Sequence, residues 1–191
     1  MRIGLVSDIH GNAAGLSRAV DGVGDVDEIW CAGDAVSDHR FDNDVIATLR
    51  ERASHYVLGN HELGLLGPHG ERARATADPE LLEWVRTRPL SVDVTIEGRR
   101  LLMTHASPLP PHNQYVVAGS TELRRLAQVD ADIIVLGHTH APMVERAGGT
   151  LVVNPGSAGE RRPTAEGSVL SYAVLDVSNE DVSLTVYDPD A

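Results

Sequence analysis

The chain has 191 residues, a formal net charge of −12 and 42% hydrophobic residues, the length of one ordinary domain, read as spanning 1–191, with enough apolar content for a sizeable core. All 16 basic residues are arginine, set against 28 acidic ones. Such a field repels polyanions and argues against stable binding of duplex nucleic acid. A single cysteine, Cys31, excludes an intrachain disulfide and reads as a buried, inert thiol on a strand. No apolar run approaches the roughly 20 residues that span a bilayer, and the opening residues lack a secretory pattern. A cytoplasmic protein without a membrane partner is expected, and no sheet edge for self-pairing is identified.

Residues 3–6 are apolar without a break, as in a strand covered on both faces. They run into Ser7-Asp8-Ile9-His10-Gly11-Asn12, with Asn12 read as a helix cap ahead of a substrate contact, after which Ala14, Leu16, Ala19 and Val20 lie near helical spacing. A second strand is predicted at 28–32, then Gly33-Asp34 and a helix from about 42 to 52. A third, at 56–58, leads directly into a loop Gly59-Asn60-His61-Glu62. Residues 64–76, rich in glycine and charge, read as a local excursion, and 79–88 as a helix with Pro79 in its first turn.

Alternation at Val92, Val94 and Ile96, a turn at Glu97-Gly98 and a returning strand at 101–104 predict a hairpin. His105 stands where that strand ends. After a proline-rich loop come a helix at 121–128, a strand at 133–136 and Gly137-His138-Thr139-His140. Gly148-Gly149 reads as a hairpin turn before a strand at 151–153, and strands follow at 170–176 and 182–187. Trp30, Trp84 and Tyr172 read as core, and His55 and His69 as surface residues. Alternating strands and helices early, with strands dominating late, predict an α/β fold with antiparallel additions.

Ligands of open α/β sheets gather at the carboxyl ends of the strands, where the loops converge. Five predicted strand ends carry Asp8 with His10, Asp34, Asn60 with His61, His105, and His138 with His140. A lone aspartate there is usually a cap and a lone histidine an ordinary polar residue; the joint placement is what carries the signal. Two carboxylates, an amide oxygen and four imidazoles, with His61 set aside, suit a borderline transition metal better than Mg2+ or Ca2+. Seven ligands exceed one tetrahedral site, and two metals share them if one carboxylate bridges. Two divalent ions against two carboxylates and a hydroxide leave about one net positive charge, which attracts an anionic substrate. A glycine-rich phosphate loop ending in Gly-Lys is impossible without lysine.

Asp8-Ile9-His10, Gly33-Asp34, Gly59-Asn60-His61-Glu62, His105 and Gly137-His138-Thr139-His140 resemble the five signature motifs of the calcineurin-like metallophosphoesterase superfamily. Thr104-His105-Ala106-Ser107-Pro108 and Asn154-Pro155-Gly156-Ser157 are similar to its small single-domain microbial branch. The resemblance implies a four-layer α/β/β/α sandwich of two mixed β-sheets flanked by helices. It implies one metal on Asp8, His10, Asp34 and His140, and a second on Asp34, Asn60, His105 and His138, with Asp34 as the bridge. The metals expected are Mn2+ first, then Ni2+, Fe2+, Co2+ or Zn2+. His61 matches the position that contacts the phosphate or protonates the leaving group. The implied reaction is in-line attack of a bridging hydroxide on a small phosphate ester, a diester ahead of a monoester. The alternative is a non-catalytic metal-binding scaffold with the same fold, like the retromer scaffold subunit.

Two stretches depart from the branch. Asp38 and His39 replace a Gly-Tyr-Gly-Pro-like turn, and residues 109–115 lack the usual Arg-Asp-Pro, leaving His112 as a weak substitute for the lost phosphate contact. Arg161-Arg162 reads equally as a phosphate contact or a solvated pair.

Overall fold

The computed structural model describes residues 1–37, 39–165 and 167–190; Asp38 lies outside the described residues. The first half of the chain forms β1 (Arg2–Val6), α1 (Ala13–Gly22), β2 (Glu28–Cys31), α2 (Asn43–Arg52), β3 (His55–Tyr56), α3 (Asn60–Leu66), α4 (Glu71–Arg74) and α5 (Pro79–Arg86). The second half forms β4 (Ser91–Ile96), β5 (Arg99–Thr104), α6 (Thr121–Arg125), β6 (Ile133–Val135), β7 (Met143–Ala147), β8 (Thr150–Asn154), β9 (Arg162–Thr164), β10 (Gly167–Asp176) and β11 (Asp181–Tyr187). Both sheets are mixed. In one, β1, β2 and β3 run parallel, β10 pairs antiparallel with β1, and β9 and β11 pair with β10. The other has the order β4-β5-β6-β8-β7, with β5, β6 and β8 parallel and an antiparallel strand at each edge.

Side chains alternate across each strand, and here both faces are covered. Ile3 and Leu5 of β1, Trp30 of β2, Leu101 and Met103 of β5, and Ile133 and Val135 of β6 share a core between the sheets. Val6, Ile29, Cys31 and Tyr56 face the opposite way, onto Leu16, Ala19, Ile46, Leu49, Leu65 and Val85 of the helices. Beyond the second sheet, Ile134, Leu136 and Val152 pack with Leu123 and Leu126. The result is the expected four-layer α/β/β/α sandwich. Each fully buried Leu or Ile contributes roughly 1.5–3 kcal/mol relative to exposure, which accounts for the unbroken apolar run at residues 3–6.

Asn12 caps α1 as expected, its side chain accepting the Gly15 N–H at 2.9 Å. Trp30 is fully buried, while Trp84 and Tyr172 pack against the core partly covered. One expectation needs correction: Asn60 and His61 stand in the first turn of α3, not in a loop. Gly59 has no side chain to cap that helix, and Glu62, three residues on, takes the Gly59 N–H at 2.7 Å instead. The excursion at 64–76 likewise holds the end of α3, a 3₁₀ turn at Pro68–Gly70 and α4. The helix expected at 121–128 changes to a 3₁₀ turn at Leu126–Gln128. β9 has no apolar alternation to betray it, because all three of its residues are exposed. No helix among the described residues is long and apolar enough to cross a membrane.

Candidate metal centre

The segments after β1, β2, β3, β5 and β6 meet at one rim, held by backbone hydrogen bonds. Asp8 N–H donates to Gly33 C=O at 3.0 Å, Ile9 and His10 both donate to Asp34 C=O, and Gly137 donates to His105 C=O at 2.8 Å. Asp8, His10, Asp34, His138 and His140 all have positive φ, from 49° to 68°. Among the described residues only Glu97 and Glu180, both in turns between antiparallel strands, share that feature outside glycine. A non-glycine residue in the left-handed region costs on the order of 1–3 kcal/mol. Five such residues at one rim mark a backbone bent to aim side chains inward.

Two glycines permit the crowding. A Cβ on Gly59 would lie 2.1 Å from Asp34 Oδ1, and one on Gly137 would lie 2.0 Å from Ser7 Oγ and 2.9 Å from Asp8 Oδ2. The glycines before Asn60 and His138 therefore serve close approach of neighbouring loops.

All seven expected ligand residues, and His61, come together. His140 Nε2 is 3.2 Å from Asp8 Oδ1 and 3.1 Å from His10 Nε2. On the other side, His105 Nε2 is 3.0 Å from Asp34 Oδ2 and 3.1 Å from Asn60 Oδ1. His61 Nε2 lies 3.9 Å from Asp34 Oδ2, and its ring meets that of His10 edge-on at 4.6 Å. Three groups have donor atoms within 4.8 Å of one another: Asp8, His10 and His140; His10, Asp34 and His61; and Asp34, His105 and His138. Asp34 belongs to two of them.

The electrostatics suit cations. Asp8 and Asp34 are buried, and among the described residues their ion-pair partners are histidines, with no arginine. Buried carboxylates need compensating charge. Burial works against the charged form of Asp34, but the hydrogen bond and charge of His105 outweigh it and hold the carboxyl below the usual range. Burial also disfavours charge on His105, yet the Asp34 carboxylate pushes its pKa up to about 9. His105 Nδ1 lies 2.7 Å from Ala32 C=O; a carbonyl only accepts, so Nδ1 carries the proton and Nε2 faces the cluster. His138 Nε2 is buried without a hydrogen-bond partner among the described residues, the condition of a ring nitrogen whose partner is an ion. Its pKa is lowered by burial and by the neighbouring His105. Oxygen and imidazole donors around two buried carboxylates fit a pair of borderline divalent metals.

Surrounding residues hold this arrangement. The buried Glu62 carboxylate accepts the N–H groups of Asp34 at 2.9 Å, Val36 at 3.0 Å and Gly59 at 2.7 Å. Asn154 donates to Gly137 C=O at 2.6 Å, and Ser157 Oγ donates to Asp8 C=O at 2.7 Å. The Asn-Pro-Gly-Ser turn thus clamps the first and last loops together. Glu160, whose Oε2 is 3.4 Å from His10 Nε2, and Tyr115, stacked on His138 at 4.2 Å, also border the site. Sequence reasoning missed Glu62, Glu160 and Tyr115 as site residues. Only Glu62 has a readable signal, its place three residues after the helix-starting Gly59.

Residues 1–180 match the model of the calcineurin-like phosphoesterase superfamily domain. The chain belongs to that superfamily. Membership supports phosphoric ester hydrolysis as its class of chemistry. An uncharacterised protein of Methanocaldococcus jannaschii is 26% identical over 209 residues, covering 91% of this chain and 82% of that one. A symmetrical bis(5'-nucleosyl)-tetraphosphatase of a Shewanella species is 31% identical over 150 residues, covering 68% of this chain but 53% of that protein. The chain thus spans about half the length of the tetraphosphatases it matches. The crystal structure of a metallophosphoesterase from Sphaerobacter thermophilus superposes with a TM-score of 0.81 at 24% identity, covering 98% of this chain and 89% of that one.

The remaining candidates fall outside the cluster. Arg161 pairs with Asp190, and Arg161 and Arg162 are both exposed, which fits a solvated pair. His112 is exposed at the edge of a cavity beside His138, and His39 is exposed.

Proposed function

We propose that this chain is a dinuclear metal-dependent hydrolase of a small phosphate ester, a diester ahead of a monoester. The observation that carries this reading is the buried Asp34 carboxylate, with His10 and His61 in reach on one side and His105 and His138 on the other, where a carboxylate shared by two cations would stand. One cation would be held by Asp8, His10, Asp34 and His140, the other by Asp34, Asn60, His105 and His138. Manganese is the first choice, with Ni2+, Fe2+, Co2+ or Zn2+ compatible with the same donors. When bound, such a pair supplies hydroxide at neutral pH and neutralises charge on the phosphoryl oxygens.

The protein's own groups supply the rest. Ala32 C=O fixes His105 with Nε2 inward, and the backbone N–H of His138 donates to both Asp8 oxygens at 3.1–3.2 Å, so the donors are preset before substrate arrives. His61, partly exposed on the first turn of α3, would pass a proton to the departing oxygen as general acid. The tetraphosphatase relatives are by name hydrolases of a phosphate linkage, which supports the reaction class. A cytoplasmic location goes with the lone, buried, reduced Cys31.

Hydrolysis of bis(4-nitrophenyl) phosphate with added Mn2+ tests the reading. The expected result is turnover abolished by chelator and by Asp34→Asn. Inactivity with every metal would favour the scaffold alternative.

A further inference from the structure

Beside the Asn60, His105 and His138 side of the centre lies a cavity of about 430 Å³, within the size range of small-molecule sites. Leu58, Leu63, Leu90, Leu102, Ala106 and Pro108 supply its apolar wall. Leu63 and Leu90 remain 50% and 60% exposed, so the cavity opens to solvent past apolar side chains. No aspartate, glutamate or arginine is among the described residues lining it.

That lining discriminates between kinds of phosphate ester. A substrate with several linked phosphates is best held by guanidinium groups along its length, and no arginine lines this cavity among the described residues; away from the cation cage its polar groups are Ser91, Thr104, Ser107, His112 and Asn113. Resting on the function proposed above, we infer that the cavity is the specificity pocket for an apolar or aromatic group on a single-phosphate ester. His105 and His138 belong to both the cavity and a donor group around Asp34, and Asn60, whose Oδ1 is 3.1 Å from His105 Nε2, lines the cavity with them. A phosphoryl group held at the cage therefore puts its organic substituent directly against the leucines. Polyphosphate esters such as dinucleoside tetraphosphates would find no guanidinium along this wall.

The test is calorimetric binding of n-alkylphosphonates, from methyl to hexyl, to Mn2+-loaded protein. These probes cannot be hydrolysed, and their alkyl chain has one direction in which to point. Kd is expected to fall about fourfold per added methylene, the equivalent of ~0.8 kcal/mol per buried CH₂, with an increasingly negative heat-capacity change. Leu90→Asn, a neutral change at an exposed position outside the cation cage, should reduce the gain per methylene for the longer chains, while the methyl compound still binds. Methylphosphonate binding without gain on lengthening, or an unaltered gain in Leu90→Asn, would overturn the pocket alone. Failure of every phosphonate to bind, methylphosphonate included, would overturn the metal-centre reading and this inference with it.

Discussion

Glu62, in the first turn of α3, and Asp34, in the loop after β2, are joined by reciprocal hydrogen bonds. The Glu62 carboxylate accepts the backbone N–H of Asp34 at 2.9 Å, while the Asp34 carboxylate accepts the backbone N–H of His61, next to Glu62, also at 2.9 Å. Burial pushes the Glu62 pKa up, as does the Asp34 charge, while N–H groups of Val36 and Gly59 oppose them. Glu62 thus positions Asp34 without touching substrate.

Glu62→Gln turns an acceptor atom into a donor facing a buried N–H. The expected loss of unfolding free energy is about 1–3 kcal/mol, measured by denaturant titration. Metal affinity should fall about 10–100-fold, the effect of disturbing groups that orient ligands. Unchanged values on both counts would remove Glu62 from this role.

His61 touches both sides of the centre, so its role must be separated from ligation. His61→Ala should retain the metal content of the parent and nearly full turnover of 4-nitrophenyl esters. Turnover of alkyl esters, whose leaving oxygen needs a proton, should drop about 10²–10⁴-fold. Loss of a cation on substitution would make His61 a ligand instead.

The His105–Asp34 pair gives the metal-free protein a defined pH response. The pKa of His105 is about 9 when folded and about 6.5 in an unfolded chain. A base with a raised folded pKa stabilises while protonated, so the contribution is complete below about pH 6.5 and disappears as pH climbs through 9. The Tm of chelator-treated protein should therefore decline between pH 7 and 9, with a shallower decline in His105→Asn.

Much of this architecture is legible in the sequence because its signals are local. The apolar run at 3–6 announces a doubly covered strand, and each ligand follows a strand end directly. Asn60 and His61 were less legible: α3 begins on Gly59, whose cap comes from Glu62 further along the chain. Glu160 and Tyr115 reach the rim through tertiary folding alone, from loops with no periodicity. Gly59 and Gly137 look like ordinary turn glycines until the atoms of Asp34 and Ser7 beside them are seen.

The central claim is that Asp34 is shared by two cations. Its most direct test is the number of Mn2+ ions bound per chain, measured by elemental analysis after reconstitution and desalting. Two ions per chain are predicted for the parent, and at most one for Asp34→Asn. A parent that holds one ion or none, or an Asp34→Asn variant that still holds two, would contradict it.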